Sequence, residues 1–207
     1  MKKKTIMILS VFLIILCFAF PAQAASKKTK ALKAYKKYLE KYEKDCKKDG
    51  FSTNAFGIAY INNDNIPDLV MYRPEFPSMG KPSIYTYKKN KVVCLSLSPA
   101  SCYYTKYYKK KGAVISVLVK DDNWNYRDYS FFDFKKTGTD SVSHNISFAL
   151  SQEDGKYYKF NLKSDKERKQ ITKKEFNSLL KKKVGKAKAK KIKYHKNTKK
   201  NRNKYLK

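Results

Sequence analysis

From Ala55 to Leu162 the chain is a succession of short apolar and aromatic runs, cut by small groups of turn-forming residues. The cuts fall at Asn63-Asp64-Asn65, Lys89-Asn90, Lys111-Gly112, Asp122-Asn123, Thr137-Gly138 and Asp154-Gly155. Asn, Asp and Gly accept left-handed backbone, so such groups close hairpins. The gaps are too short for the crossovers that parallel strands need, so neighbouring strands must run antiparallel. The pattern predicts strands at 55–61, 67–73, 83–88, 91–97, 102–108, 113–120, 124–134, 143–150 and 156–162.

Helices flank this meander. In "KTKALKAYKKYLEKYEKDCKKDGF", Leu32, Tyr35, Leu39, Tyr42 and Cys46 recur at steps of three and four, which gives one apolar stripe. Gly50 stands where a left-handed cap ends a helix. The stripe is too short for a coiled-coil seam and is expected to dock on the sheet. Farther on, "ITKKEFNSLLKKKV" opens with Thr172 and Glu175 at capping-box spacing, and Phe176, Leu179, Leu180 and Val184 share a face. The fold class is therefore α+β: an N-terminal helix packed on an antiparallel β-meander, with a C-terminal helix and a basic tail.

The chain opens "MKKKTIMILSVFLIILCFAFPAQAAS". Three lysines precede an apolar run that Pro21 ends, and Ala22-Gln23-Ala24 has the small-x-small form of a signal-peptidase site. The run is shorter than the ~20 residues a spanning helix needs. Residues 1–24 are expected to be a secretory signal, cut after Ala24. Cys17 lies inside the apolar run and follows no small residue, which argues against lipidation. Cleavage removes 24 of 207 residues and leaves 183, enough for one domain with a real core. That domain is expected over 25–184, with 185–207 as a Lys-rich C-terminal tail, part-docked with a charged outer face.

The full chain carries 48 Lys+Arg against 17 Asp+Glu. Without Lys2, Lys3 and Lys4 the balance is 45 against 17, a formal charge of +28. Abundant, patterned Tyr, Phe and branched residues separate this chain from a disordered polycation. An A/T-rich coding sequence would supply part of the Lys excess. Whatever its origin, such a charge draws an exported protein to anionic surfaces. The stretch from Lys181 to Lys207 holds 14 Lys+Arg and no acid, and Lys190, Lys191, Lys199, Lys200 and Arg202 are its expected anion contacts. Ile192, Tyr194, Tyr205 and Leu206 are not residues of a free arm, and Thr198 is placed to cap a short last helix.

Three cysteines remain after cleavage: Cys46, Cys94 and Cys102. Cys94 and Cys102 flank Ser98 symmetrically, the arrangement of a cross-hairpin disulfide, while Cys46 fits as a small apolar side chain. No spacing resembles a zinc site.

"YINNDNIPDL" crowds amides and carboxylates between two apolar runs. Asn62, Asp64 and Asp68 alternate as oxygen ligands for calcium would, with Ile66 placed to give a carbonyl. The segment resembles the calcium loop of FG-GAP-type repeats. It also resembles the "DxNxDGxPEL" hairpin of small, secreted, uncharacterised Gram-positive proteins. "SIYTYKKNKV" and the closing "NTKKNRNKYLK" extend that likeness. The layout covers most of the chain, but the specific motifs cover only about 25 residues. The resemblance implies export and a calcium ion, and no catalytic activity. Two positions depart from it: Tyr60 replaces the first carboxylate, and Asn65 replaces the turn Gly. A second acidic stretch, "KDDNWNYRDY", is read as a hairpin tip at Asp122-Asn123, because Tyr126 stands where a calcium loop needs Gly.

Catalytic patterns are missing. The imidazoles are His144 and His195; there is no Gly-x-Ser-x-Gly elbow and no phosphate loop. Glu75 and Asp128 are the carboxylates that a glycosidase reading would use. The expected function is non-enzymatic association with anionic cell-surface or wall polymers or lipid headgroups. The alternatives are a carbohydrate-binding face made by Tyr103, Tyr104, Tyr107, Tyr108 and Trp124, a calcium-binding secreted module, and binding of extracellular nucleic acid.

Overall fold

The computed structural model describes residues 27–48, 55–74, 80–97, 104–120, 124–132, 134, 146–153, 155–161 and 165–207. Helix α1 (27–48) precedes ten strands: β1 Ala55–Ala59, β2 Asp68–Pro74, β3 Gly80–Lys88, β4 Lys91–Leu97, β5 Tyr104–Tyr108, β6 Ala113–Lys120, β7 Trp124–Phe132, β8 Ile146–Glu153, β9 Lys156–Asn161 and β10 Asp165–Ile171. Helix α2 (Lys173–Val184), β11 (Ala189–Lys191), β12 (His195–Lys196) and α3 (Lys199–Tyr205) complete the chain.

The meander splits into two antiparallel sheets, one ordered β12-β1-β2-β3-β4 and the other β10-β9-β8-β7-β6-β5-β11. Alternation sorts the side chains into three cores. On the outer face of the first sheet, Phe56, Leu69, Met71 and Tyr85 meet Leu32, Tyr35 and Leu39 of α1. Cys46 is also buried and Tyr42 half-buried, so the apolar stripe docks as its spacing predicts. Ala59, Val70, Ile84 and Leu95 of the inner face meet Val114 and Phe132 of the second sheet. On the far side of the second sheet, Ile115, Tyr129, Phe131 and Leu150 pack under Phe176 and Val184 of α2. The layers therefore run helix, sheet, sheet, helix.

Local signals act where expected. Lys89 and Asn90 both have positive φ, 49° and 61°, and close β3 and β4 with Lys88 opposite Lys91. Thr172 Oγ1 accepts from the Glu175 N–H at 3.1 Å and starts α2, and Gly185, at φ 63°, ends it. The Glu175 carboxylate reaches Lys159 on β9 at 2.8 Å and ties the helix to its sheet. Gly50, Cys102, Asp122-Asn123 and Thr137-Gly138 lie outside the described residues.

The C-terminal segment docks along its whole length, past residue 184. β11 pairs with β5, β12 pairs with β1, and the globular unit runs to the end of the chain. Ile192 (3 % exposed) joins the core between the sheets, and Leu206 joins the core beneath α1. Thr198 Oγ1 accepts from the Asn201 N–H and caps α3. Gly57 makes room for this path: a Cβ there would stand 2.5 Å from Ile192 Cγ2 and 2.8 Å from the Lys193 carbonyl oxygen.

Candidate functional site

The loop between β1 and β2 is held by its own polar groups. Asp64 Oδ1 accepts from the Ile66 N–H and Asp64 Oδ2 from Asn62 Nδ2, each at 2.8 Å. Asn62 Oδ1 in turn accepts from the Asp64 N–H at 3.3 Å. These are nested Asx turns. Asn65 takes φ 60°, the left-handed conformation of the Gly it replaces, which its short amide tolerates. The β5–β6 turn docks on the loop through Lys110 N–H to the Tyr60 carbonyl (2.8 Å) and Gly112 N–H to the Ile61 carbonyl (2.7 Å). The Lys110 ammonium bonds Asn65 Oδ1.

Asp68 differs from its loop neighbours. It is fully buried, and its Oδ2 accepts from the Ile61 N–H at 3.0 Å. Burial pushes its carboxyl up to about 7, opposed by the Thr86 hydroxyl and the Ile61 and Asn62 N–H groups beside it, while the Asp64 charge adds to the rise. Its Oδ1 makes no hydrogen bond of good geometry.

That orphaned oxygen is the one feature that suits the calcium implied by the resemblance. The rest of the donor set does not. Tyr60 brings no carboxylate, each Asp64 oxygen already accepts one hydrogen bond of the loop, and the Lys110 ammonium enters from the neighbouring turn. Calcium affinity rises with the count of charged ligands, and here an ammonium stands on Asn65 beside the candidate ligands, where its charge opposes a dication. Asn62, Asp64, Ile66 and Asp68 do not fit a resident calcium ion. They fit a turn closed by hydrogen bonds.

Beside the loop lies a cleft of about 550 Å³, lined among others by Lys27, Asn63, Asp64, Tyr87, Lys89, Asn90 and Phe134. The start of α1, the β1–β2 loop, the β3–β4 turn and Phe134 meet there. None of these is a neighbour in sequence, and periodicity gave no signal for the cleft. Lys88 Nζ donates to the Phe134 carbonyl at 3.0 Å and closes one side.

A second feature runs along the edge of the sandwich. The segment from Gly185 to Lys200 closes the β5 edge of one sheet and the β1 edge of the other, and leaves Lys190, Lys191, Lys199 and Lys200 exposed. Lysines on such edges also deter strand addition from other chains. Arg202 is a correction to the expected anion contacts. It is 5 % exposed, and its Nη1 stands 2.6 Å from Glu43 Oε2 and 2.7 Å from Asn197 Oδ1. A guanidinium committed to α1 is not offered to a ligand.

The expected aromatic face divides. Tyr104 and Tyr108 point toward the α2 side of β5, with Tyr108 buried, while Tyr107 packs between the sheets. Lys106 and Lys191, cross-strand partners, lie 5.5 and 5.0 Å from the Tyr104 ring. Tyr103 is outside the described residues, as are Glu75 and His144, and Trp124 is described only as part of β7. His195 stacks on Tyr205 with ring centroids 3.6 Å apart, and burial, Lys204 and Lys193 lower its basicity. Asp128 is half-buried on β7, and Cys94 is half-buried against the α1 side of the first sheet. Among the described residues no three His, Cys, Asp or Glu side chains gather as a metal cluster, and no helix is long and apolar enough to cross a membrane. Compared with known protein families, curated proteins and solved structures, the chain matches none.

Proposed function

We propose that this is an exported, non-enzymatic protein that holds anionic polymers of the cell envelope through a folded basic edge. One observation carries the reading. The segment that seals both sheets contains no acidic residue and exposes Lys188, Lys190, Lys191, Lys193, Lys199 and Lys200. Among the described residues, four acids are taken up within the fold: Glu43 on Lys47 and Arg202, Glu153 on Arg168, Glu175 on Lys159, and Asp68 in the core. The edge charge faces solvent, and backbone pairing to β5 and β1 fixes its spacing. Each lysine near an anionic surface contributes on the order of 1 kcal/mol before screening, so a row of them suffices for retention. The signal-like N-terminus supports export, and the charge supports the partner class.

The test is retention of the purified protein on teichoic-acid-bearing cell walls and on phosphatidylglycerol vesicles across a salt series. The reading expects strong retention at low ionic strength and release as the Debye length shrinks. Retention indifferent to salt would contradict it.

A further inference from the structure

The cleft beside the β1–β2 loop has a chemistry that a row of edge lysines lacks. Among the described residues, Lys27, Lys88 and Lys89 line it against one carboxylate, Asp64, a balance that favours an anion. Two half-buried rings, Tyr87 and Phe134, give it apolar faces. Asn63 and Asn90 carry carboxamides to its rim, each a donor and an acceptor. The Tyr87 hydroxyl donates to Asn90 Oδ1 at 3.3 Å, which fixes that amide and turns its NH2 group to donation elsewhere. Asp64 is held in place by the Ile66 N–H and the Asn62 amide, and its remaining lone pairs can accept from hydroxyls. The volume, about 550 Å³, is that of a small-molecule site.

Rings, carboxamides, a carboxylate and ammonium groups in one cleft match the parts of an acidic sugar. An aromatic face meets the C–H face of a pyranose, planar amide and carboxylate groups meet vicinal hydroxyls, and an ammonium meets the anionic substituent. We propose that the cleft between the β1–β2 loop and the β3–β4 turn binds one acidic saccharide unit, a pyranose carrying a carboxylate or a phosphate. The inference rests on the envelope-polymer reading and assigns the unit of that polymer which the protein recognises. Lysines along the edge supply attraction without selectivity; the cleft supplies selection.

Calorimetric titration of the purified protein with four probes tests this. The probes are a tetrasaccharide of alternating glucuronate and N-acetylglucosamine, glucose 6-phosphate, neutral cellotetraose and inorganic phosphate. Saturable binding of either acidic sugar, with cellotetraose and phosphate much weaker, supports the inference, and the stronger of the two identifies the anionic group. Asn90→Gly keeps the left-handed turn while removing the amide, and Lys89→Asn removes one charge at a position Asn also tolerates. Each is expected to weaken the acidic sugar about tenfold or more, as loss of a hydrogen bond to a charged group would, with an unchanged melting temperature. Lys190→Gln/Lys191→Gln is expected to leave sugar affinity unchanged while reducing retention on walls. Absence of saturable sugar binding, with salt-sensitive wall retention intact, overturns the cleft and spares the edge. Sugar binding without wall retention overturns the edge and spares the cleft.

Discussion

Arg202 Nη1 stands 2.6 Å from Glu43 Oε2 and ties the last helix to the first across 159 residues of sequence. Asn197 completes the joint: its Oδ1 accepts from Arg202 at 2.7 Å, and its Nδ2 donates to the Leu39 carbonyl at 2.9 Å. The segment with the most basic composition is thus fastened to the core by one buried cation, and its lysines stay outside. Glu43 keeps Lys47 when Arg202 is removed, but the buried Asn197 Oδ1 loses its donor, so Arg202→Ala is expected to destabilise by about 1–3 kcal/mol. Lys199→Gln or Lys200→Gln, on the same exposed turn, is expected to stay within ~0.5 kcal/mol. Urea denaturation of the three variants measures both. The bond to Lys47 and then the Arg202 contacts hold the Glu43 carboxyl below its usual range. Its contribution is therefore present above the unfolded carboxyl pKa and is lost as pH falls through the lowered folded value.

Gly57 reports the same docking from the other side. A methyl group there meets the Lys193 carbonyl at 2.8 Å, and backbone must move. Gly57→Ala is expected to cost about 1–3 kcal/mol through overpacking and to lower the melting temperature. Proteolysis at Lys193 and Lys196 should become faster in this variant. An unchanged cleavage rate would mean that the segment does not lie on β1.

Asp68 sets a pH dependence of opposite sign to Glu43. Its folded pKa is raised, so its contribution to stability is full below the unfolded value near 4 and is lost as pH rises through about 7. Asp68→Asn keeps an acceptor for the Ile61 N–H and removes the buried charge. The variant is expected to melt higher than the parent at pH 8 and to converge with it below pH 4. A constant difference across that range would contradict the assignment.

The loop itself is expected to be indifferent to calcium. Addition of ~1 mM calcium, the range of weak extracellular modules, should leave the melting temperature within experimental scatter of a chelator-treated sample. An upward shift would show that Asp68 Oδ1 and Asp64 do act as ligands despite Lys110.

Much of the fold was legible because most strands here are short, alternate strictly and end at turn residues. The Lys89-Asn90 turn, the Thr172 cap and the α1 stripe follow from local chemistry alone. β10 was not legible: "DKERKQI" has one apolar residue, because it is an edge strand guarded by charge. β11 and β12 are too short to show a period, and their pairing partners lie more than 80 residues away. The break of the meander into two sheets has no sequence mark either, since strand alternation reads alike in both. At the site, Lys190, Lys191, Lys199 and Lys200 were legible as exposed charge. Arg202 was not separable from them, because only Glu43 and Asn197, brought together by folding, distinguish it. The cleft was invisible for the same reason.

The central claim is that folded edge lysines hold an anionic polymer. Its most direct measurement is the salt dependence of wall binding by the parent and by a Lys190→Gln/Lys191→Gln/Lys199→Gln/Lys200→Gln variant of equal melting temperature. The account predicts that the variant binds roughly a hundredfold more weakly at low salt and shows a shallower salt dependence. Equal affinity and an equal salt slope for the two proteins would contradict it.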